Sequence, residues 1–260
     1  MSVTVHATAA VSPNAELADG VEVGPYALIG EDVSLGKGTT VGPHASLEGP
    51  AVFGDENRIF AHAALGYAPQ DVRYRGEKTR LVVGSRNVFR EFTTLHRGTV
   101  TGRGETVIGD DNYFMVSSHV AHDCRVGSKC IFANYVGLAG HVEVGDAVVI
   151  GAYAAIHQFA RIGDYAVIGA YTVGRQDILP FCKTDGRADA KTYGLNTVGL
   201  KRNGFSEDRI EALQRAYRIL VKSKLNTSQA IERMERELSG QPDVEALLRF
   251  IRESQRGFHK

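Results

Sequence analysis

The sequence has no tryptophan, only three cysteines, and equal numbers of acidic and basic side chains, 30 of each. Balanced charge gives no reason to expect a nucleic acid or a charged membrane surface as the partner. No apolar run reaches the length of a membrane span, and the first residues form no basic, apolar leader. The few cysteines lack a CxxC pair and fit a reducing compartment. We therefore expect a cytoplasmic protein that is not integral to a membrane.

What the sequence does contain is an aliphatic or phenylalanine residue at every sixth position. One series starts at Val5 and keeps its phase to Leu95 across an interruption, and a second runs from Ile108 to Ile168. A period of six fits neither an α-helix nor a simple amphipathic strand, but it is typical of the hexapeptide solenoid. We predict about nine triangular coils of three hexads, stacked at roughly 4.8 Å.

Residues beside the repeated aliphatic position follow the same period. Glycine often comes one residue later, as at Gly24, where we expect a corner whose backbone shape a Cβ would oppose. Proline comes two residues later, as at Pro25, in keeping with a turn. The fourth position is mostly small and includes Cys124 and Cys130. These small side chains are predicted to fill a narrow prism.

The repeat is interrupted twice and then ends, which predicts the domain organisation. Insertions near 66–82 and 96–107 are expected to project as loops, which often build the binding face of a solenoid. We predict a β-helix over 1–173 and a connector with a small α-helical domain over 174–260. Ser206 and Thr227 are predicted to cap two helices, and Pro242 to open a third. These helices would cover the open end of the prism.

Histidines cluster in the central and later coils. Since a coil has eighteen residues, His122, Gly140 and Gln158 are expected to stack on one corner. Such a cluster suits either a general base that activates a hydroxyl or a zinc site. His119 and His122 are three residues apart, so they point to opposite sides of a strand and share an ion poorly. We therefore expect no metal. The cluster comprises His96, His119, His122, His141 and His157.

Several strings of the sequence resemble one family of enzymes over essentially the whole chain. SSHVAHDCRVG, NYVGLAGHVEVGD, AIHQFARIG, PQDVRYRGEKT and LNTVGLKRNGFS resemble the UDP-N-acetylglucosamine O-acyltransferase family of lipid A biosynthesis. The resemblance implies a left-handed parallel β-helix and a homotrimer with each site between two prisms. It further implies transfer of an (R)-3-hydroxyacyl group from acyl carrier protein to the 3-hydroxyl of UDP-N-acetylglucosamine, without a cofactor.

The resemblance also assigns residues. His122 matches the general base, Asp123 the residue that orients it, and Gly140 a backbone N–H donor for the oxyanion. Ala170 stands where a glycine often ends the acyl groove, which predicts a shorter acyl chain. The residues implied in substrate binding are Gln70, Asp71, Arg73, His119, His141, His157, Gln158, Asn196 and Arg202.

Two features of the C-terminal third concern the partners. Val198 and Asn203 stand where an acidic residue and a second arginine are usual in the family, so the ribose and pyrophosphate contacts are expected to differ. Acyl carrier protein is strongly acidic, and basic side chains on the predicted helices are candidate docking points. They are Arg209, Arg215, Arg218 and Lys222.

Two other functions are compatible with parts of this pattern. Another hexapeptide acyltransferase could acylate an amino sugar on nitrogen or use acetyl coenzyme A, and a non-catalytic scaffold would need only the repeat. The HDC, AGHV and HQF strings argue against a scaffold, and the GLKR string argues against the other acyltransferases. The sequence leaves open an amine or a hydroxyl acceptor and the length of the acyl chain.

Overall fold

The computed structural model describes residues 2–260, which form a three-sided parallel β-helix followed by short helices. Most strands are only two residues long because each hexad spends its other residues on a turn. The strands before the first insertion are β1 (Thr4–Val5), β2 (Ala10–Val11), β3 (Glu16–Leu17), β4 (Glu22–Val23), β5 (Leu28–Ile29), β6 (Val33–Leu35), β7 (Thr40–Val41), β8 (Ser46–Leu47), β9 (Ala51–Phe53), β10 (Arg58–Ile59) and β11 (Ala64–Tyr67).

The remaining strands lie between and after the insertions. Between them are β12 (Arg80–Val83), β13 (Val88–Phe89) and β14 (Thr94–His96). After them come β15 (Glu105–Ile108), β16 (Tyr113–Phe114), β17 (His119–Val120), β18 (Arg125–Val126), β19 (Ile131–Phe132), β20 (Gly137–Leu138), β21 (Glu143–Val144), β22 (Val149–Ile150), β23 (Ala155–Ile156), β24 (Arg161–Ile162), β25 (Val167–Ile168), β26 (Val173–Gly174), β27 (Cys182–Asp185) and β28 (Lys191–Leu195).

Each strand of the coil pairs in parallel with the strand one coil away, so three sheets form the sides of a prism. The first sheet, which begins with β1, has 11 strands; the second, with β2, has 9; the third, with β3, has 8. We call the corners the first edge (first to second sheet), the second edge (second to third) and the third edge (third to first). The register keeps the sixfold pattern, since Val120 pairs with Leu138.

The interior is built as predicted, but the glycines have a different role. Ala27 and Cys124 are fully buried, in keeping with the narrow prism. The left-handed backbone conformation lies at the third residue after most of the repeated aliphatic positions, as at Tyr26 (φ 57°), and not at Gly24. Glycine is needed for close approach between coils instead. A Cβ on Gly36 would lie 2.4 Å from the carbonyl carbon of Gly54.

Both insertions are shorter than predicted because the flanking strands extend into them. β11 continues to Tyr67 and β12 begins at Arg80, so the first insertion covers 68–79. β14 ends at His96 and β15 begins at Glu105, so the second covers 97–104. The predicted domain boundary near 173 stays a prediction, since β27 still pairs with β25 beyond it.

The C-terminal segment contains α1 (Thr197–Arg202), α2 (Glu207–Tyr217) continued by a π-helical turn (Arg218–Lys222), α3 (Thr227–Glu237) and α4 (Pro242–Arg252). Ser206 caps α2 and Pro242 opens α4, as predicted. The predicted cap at Thr227 is wrong. Asn226 caps α3, because its side chain and that of Gln229 accept each other's backbone N–H in a capping box. Within residues 2–260, no helix combines the length and apolar character needed to cross a membrane.

Candidate active site

The predicted column of His122, Gly140 and Gln158 is present on the second edge. The backbone N–H of His141 donates to the carbonyl of His122 (3.0 Å), and that of Phe159 donates to the carbonyl of Gly140 (3.2 Å). A Cβ on Gly140 would lie 2.6 Å from Cε1 of His122. The imidazole therefore lies directly against Gly140, and only glycine leaves room for it.

The backbone N–H of Gly140 is not used by the coil. Gly140 is the second residue after Leu138, and Pro25 and Pro43, which have no N–H, occupy equivalent positions in other hexads. Gly140 is buried, and its N–H has no hydrogen-bond partner within the described chain. Buried amides are nearly always paired, so this donor is suited to a substrate oxygen that gains negative charge.

His122 is oriented by the next residue. Its Nδ1 lies 2.8 Å from Oδ2 of Asp123, a carboxylate that accepts a hydrogen bond from the ring. Asp123 has a left-handed backbone (φ 61°) and is 0% exposed. Because the carboxylate fixes the proton on Nδ1, Nε2 of the neutral ring is left to accept a proton.

The second insertion surrounds the carboxylate of Asp123. The Thr99 hydroxyl donates to Oδ2 at 2.7 Å, and the backbone N–H of Arg103 donates to Oδ1 at 2.8 Å. Burial alone would raise the pKa of Asp123, but hydrogen bonds from His122, Thr99 and Arg103 outweigh it and hold the pKa well below its usual range. Asp123 is therefore ionised at any pH at which the protein works.

His141 lies on the next coil, beside the pair. Its ring meets that of His122 edge to face (centroids 5.1 Å apart) and stacks on Phe159 (4.4 Å). Burial lowers the pKa of His141, although Asp123 opposes that shift. Nε2 of His141 is 3.8 Å from Oδ2 of Asp123, so a neutral ring there can donate a hydrogen bond to a substrate more readily than it can pair with the carboxylate.

His122, Asp123 and His141 are close enough to hold a metal ion, since their ligand atoms lie within 4.8 Å of one another. The occupied hydrogen bonds argue against this use. Both oxygens of Asp123 already accept N–H or O–H donors, and Nδ1 of His122 is one of them. A bound ion would have to displace these donors, so the arrangement favours acid–base chemistry.

His119 faces outward from the second sheet, one strand away from His96. Its Nδ1 is 2.8 Å from the Thr94 hydroxyl, and the two imidazoles meet edge to face at 5.3 Å. Burial, with repulsion from His96 and His122, lowers the pKa of His119 to about 4. His119 is therefore neutral near pH 7 and can act as a hydrogen-bonding group without carrying charge.

The first insertion brings Asp71 towards the histidines. Arg73 forms a bidentate pair with Asp71 (2.9 and 3.1 Å), and chiefly this bond lowers the pKa of Asp71 to about 2; the proximity of His122 contributes to the shift. Gln70 is exposed beside them. The insertion is held by His96, whose Nδ1 lies 2.6 Å from the carbonyl of Ala68.

His157 and Gln158 continue the second edge towards the C-terminus. Nδ1 of His157 is 3.0 Å from the carbonyl of Gln158 and 3.3 Å from the guanidinium of Arg256. A cleft of about 640 Å³ opens here, lined in part by His141 and Phe159. Two of its lining residues, His141 and Phe159, directly follow Gly140 and Gln158, so the cleft lies beside the column and is large enough for a substrate.

Asn196 and Arg202 are not brought to this column. Asn196 caps α1 through a bond from the N–H of Gly199 (3.1 Å), and its amide donates to the carbonyl of Tyr165 on the third edge. Arg202 is exposed at the end of α1, and Asn203 follows as the C-terminal cap. Val198 is 60% exposed on the same short helix. These four residues therefore lie together in and beside α1, away from the column.

The other predicted residues are also distant from the column within one chain. Ala170 is exposed on the first edge, between β25 and β26. Arg209 is paired with Asp243 (2.7 and 2.8 Å) and lies over the ring of Phe205. Arg215, Arg218 and Lys222 are exposed. All four candidate docking side chains are thus exposed, but Arg209 is already paired with an acidic residue.

Sequence analysis identified the second insertion but missed its functional residues. Thr99 and Arg103 contact Asp123, and Arg97 is buried with hydrogen bonds to the carbonyls of Gly49 (2.5 Å) and Gly66 (2.9 Å). The available signal was the small, polar string GTVTGRG directly after a histidine of the cluster.

Comparisons with known proteins agree with this site. Residues 177–259 match the family described as UDP N-acetylglucosamine O-acyltransferase, domain 2, and residues 141–173 match the bacterial transferase hexapeptide repeat. An acyl-[acyl-carrier-protein]–UDP-N-acetylglucosamine O-acyltransferase of Trichlorobacter lovleyi is 53% identical over 98% of both chains. Its counterpart in Thermodesulfovibrio yellowstonii is 46% identical over 97% of this chain and 98% of its own.

The chain belongs to the UDP-N-acetylglucosamine O-acyltransferase family. The solved acyltransferase of Francisella novicida superposes with a TM-score of 0.95 at 33% identity, covering 98% of this chain and 94% of its own. This likeness confirms the predicted left-handed β-helix with a small helical region after it. Membership of the O-acyltransferase family also favours an enzyme over a scaffold and over the other hexapeptide acyltransferases.

Proposed function

We propose that this chain transfers an (R)-3-hydroxyacyl group from acyl carrier protein to the 3-hydroxyl of UDP-N-acetylglucosamine, the first step of lipid A biosynthesis. The observation that carries the proposal is the buried pair of His122 and Asp123 against Gly140, in a chain of this family. An alcohol is a weak nucleophile until its proton is removed, and an imidazole with a free Nε2 is suited to remove it.

The reaction requires two proton transfers and one oxyanion. Nε2 of His122 takes the proton of the sugar hydroxyl while its oxygen bonds to the thioester carbon. The charge that develops on the carbonyl oxygen is met by the N–H of Gly140. The C–S bond then breaks, and the imidazolium returns its proton to the departing thiolate. Asp123 stabilises the imidazolium and does not itself take up a proton.

The substrate contacts follow from where the side chains lie. We assign the sugar to His119, His141, Asp71 and Arg73. The ring contact of His141 with His122 and the electrostatic interaction of Asp71 with His122 support this assignment. Gln70 extends the same loop. His157 and Gln158 lie at the other end of the column, next to Phe159 and Arg256, which line the cleft. His119 and His141 have lowered pKa values, so they serve as neutral hydrogen-bond partners of sugar oxygens.

We assign the uridine diphosphate to α1 of a neighbouring copy. Arg202 suits a phosphate because of its planar, bidentate donors, and Asn196 positions the helix that carries it. Since this surface and His122 lie on different edges of one chain, a complete site needs two copies, as in a homotrimer. Asn203 and Val198 provide no charge for the pyrophosphate or ribose. Of the two cations of this helix, Lys201 is paired with Glu207 (2.6 Å), so we assign the cationic contact to Arg202.

The proposal also names the protein partner, the compartment and the cofactor requirement. Exposed Arg215, Arg218 and Lys222 form a basic surface for the acidic carrier protein, whereas Arg209 is already paired. We place the reaction in the cytoplasm, which the three free, buried cysteines support. We assign no cofactor, because base, oxyanion donor and substrate contacts all come from the protein.

The decisive experiment mixes the purified enzyme with UDP-N-acetylglucosamine and (R)-3-hydroxyacyl carrier proteins of several chain lengths, and follows the acylated sugar by mass spectrometry. We expect O-acylation by the wild type and a loss of at least about 100-fold in His122→Ala, the usual contribution of such a base. A parallel arm supplies the 3-amino analogue and acetyl coenzyme A. The proposal fails if only these alternatives react, or if His122→Ala remains fully active as an intact oligomer.

A further inference from the structure

The carboxylate of Asp123 is held by the second insertion and not by its own coil. The backbone N–H of Thr99 reaches both carboxylate oxygens at 3.1 Å, its hydroxyl donates to Oδ2 at 2.7 Å, and the N–H of Arg103 donates to Oδ1 at 2.8 Å. The backbone N–H of Asp123 in turn donates to the Thr106 hydroxyl (2.8 Å). Apart from His122, every hydrogen-bond partner of this carboxylate therefore lies within 99–106.

The oxygen that faces His122 has two strong donors. Oδ2 accepts from Nδ1 of His122 at 2.8 Å and from the Thr99 hydroxyl at 2.7 Å. Thr99 is only 3% exposed, so water does not replace its hydroxyl. The direction of Oδ2 towards the imidazole is thus set by the donor on its other side.

We propose that Thr99 is a positioning residue for the base, whose hydroxyl holds Oδ2 of Asp123 in line with Nδ1 of His122. This inference rests on the proposed role of His122. Without the hydroxyl, Oδ2 keeps only Nδ1 of His122 and the longer backbone bond from Thr99, so the carboxylate and the imidazole are held less firmly in this orientation. Oδ2 also becomes a better acceptor for the remaining Nδ1–H, which strengthens proton binding by the imidazole.

The titratable groups around His122 show that Thr99 can act on the imidazole through Asp123 and not through another charged side chain. The titratable side chains that act on it are Asp71, His96, His119, Asp123 and His141. Among these five, Thr99 is hydrogen bonded only to Asp123. Its other side-chain partner, the Thr101 hydroxyl at 3.3 Å, carries no charge. A change in the pH profile of a Thr99 variant is therefore transmitted through the carboxylate.

The test compares Thr99→Val with Thr99→Ser in the intact enzyme. Thr99→Val should lower kcat by about 10- to 100-fold, as loss of positioning does, with the KM for UDP-N-acetylglucosamine unchanged. The acidic limb of the kcat/KM profile should move to higher pH. Thr99→Ser, which restores the hydroxyl, should recover the rate and the profile. Thr79→Val is the matched control, because Thr79 is also buried but its hydroxyl has no partner among the described residues.

Two results overturn the proposal. The first is a Thr99→Val enzyme with the kcat and pH profile of the wild type. The second is a Thr99→Val preparation that contains less folded enzyme, while the folded fraction keeps the wild-type pH profile. Thr99→Ala is measured in parallel, so that a valine variant that fails to assemble does not decide the matter. Failure of the proposed function itself is seen separately, as full activity of His122→Ala.

Discussion

The side-chain amide of Asn196 donates a hydrogen bond to the main-chain carbonyl of Tyr165, 2.9 Å away. This bond fixes the start of α1 on the third edge of the prism. His122 lies on the second edge, so the imidazole and Arg202 at the end of α1 occupy different corners of one chain. In a cyclic oligomer the same two surfaces can meet between neighbours.

Mixed oligomers should therefore complement one another. His122→Ala and Arg202→Ala subunits, each weak alone, should regain activity when assembled together. In a random equal mixture about one site in four combines an intact His122 with an intact Arg202 of the neighbouring copy, and in the mixed trimers that two tags select this share is about one in three. Differently tagged subunits are co-expressed and purified through both tags, and kcat/KM for UDP-N-acetylglucosamine is measured.

The control mixes His122→Ala with Asp123→Ala, two changes on the same edge. Every site in that mixture lacks one member of the same pair, so no recovery is expected. Equal recovery in both mixtures, or none in the first, would contradict a site shared by two copies.

Arg97 should control substrate binding without touching the substrate. Its buried guanidinium donates to the carbonyls of Gly49 and Gly66 and the carboxylate of Glu48. It also donates to the Tyr74 hydroxyl (3.4 Å), which ties the first insertion to the coil. The single nitrogen of lysine cannot replace both Nη1, which contacts the Gly49, Gly66 and Glu48 oxygens, and Nη2, which contacts Tyr74. Breaking a buried network of this kind costs about 3 kcal/mol.

We expect Arg97→Lys to lower the melting temperature and to raise the KM for UDP-N-acetylglucosamine, because Asp71 lies on this insertion. The value of kcat should change little, since the pair of His122 and Asp123 is untouched. Arg75→Lys, an exposed change on the same insertion, is the control. A fall in kcat with unchanged KM would refute the assigned role.

The sixfold period predicts most of the fold because inward residues recur with every strand, and eighteen-residue arithmetic correctly stacks His122, Gly140 and Gln158. The same arithmetic fails across an insertion. Thr99 is 24 residues before Asp123, which is no multiple of the coil length, so nothing in the sequence pairs them. Their contact depends on how the loop folds back.

The sequence analysis also failed to predict which of two adjacent, suitable residues takes a given structural role. Asn226 and Thr227 are adjacent and both can cap a helix, but only Asn226 has a glutamine three residues later to complete the box. The role of glycine beside the aliphatic position was likewise set by contacts between coils. The third residue of the turn takes the left-handed backbone whatever its side chain, as Tyr26 and Asp123 both do.

Ala170→Gly should shift the acyl-chain preference towards longer substrates. Removing the exposed methyl lengthens the proposed acyl groove by about one methylene, worth about 0.8 kcal/mol or a few-fold in kcat/KM. Competition among hydroxyacyl carrier proteins of graded length measures the shift. Ala152→Gly, one coil earlier on the same edge, is the control for the loosened backbone. Identical length profiles for wild type and Ala170→Gly would refute a role for this position.

His259 should make the stability of the C-terminal segment depend on pH. Its Nε2 accepts the backbone N–H groups of Arg175 and Gln176, both at 3.1 Å, which requires a neutral ring. Burial lowers the pKa of His259 in the folded chain, although a backbone bond at Ala190 opposes the shift. The unfolded chain therefore binds this proton at a higher pH than the folded chain does.

The stabilisation by His259 is thus complete above its unfolded pKa of about 6.5 and is lost as the pH falls below it. The oxygen of His259→Gln can still accept a hydrogen bond but does not titrate. The drop in melting temperature between about pH 7.5 and about pH 5 should be smaller in this variant than in the wild type, because the difference reports the proton taken up on unfolding. His6→Gln, a change at an exposed histidine, should retain the full drop. If His259→Gln retains it as well, the ring does not need to stay neutral, and the two backbone bonds are not what holds the tail on the last coil.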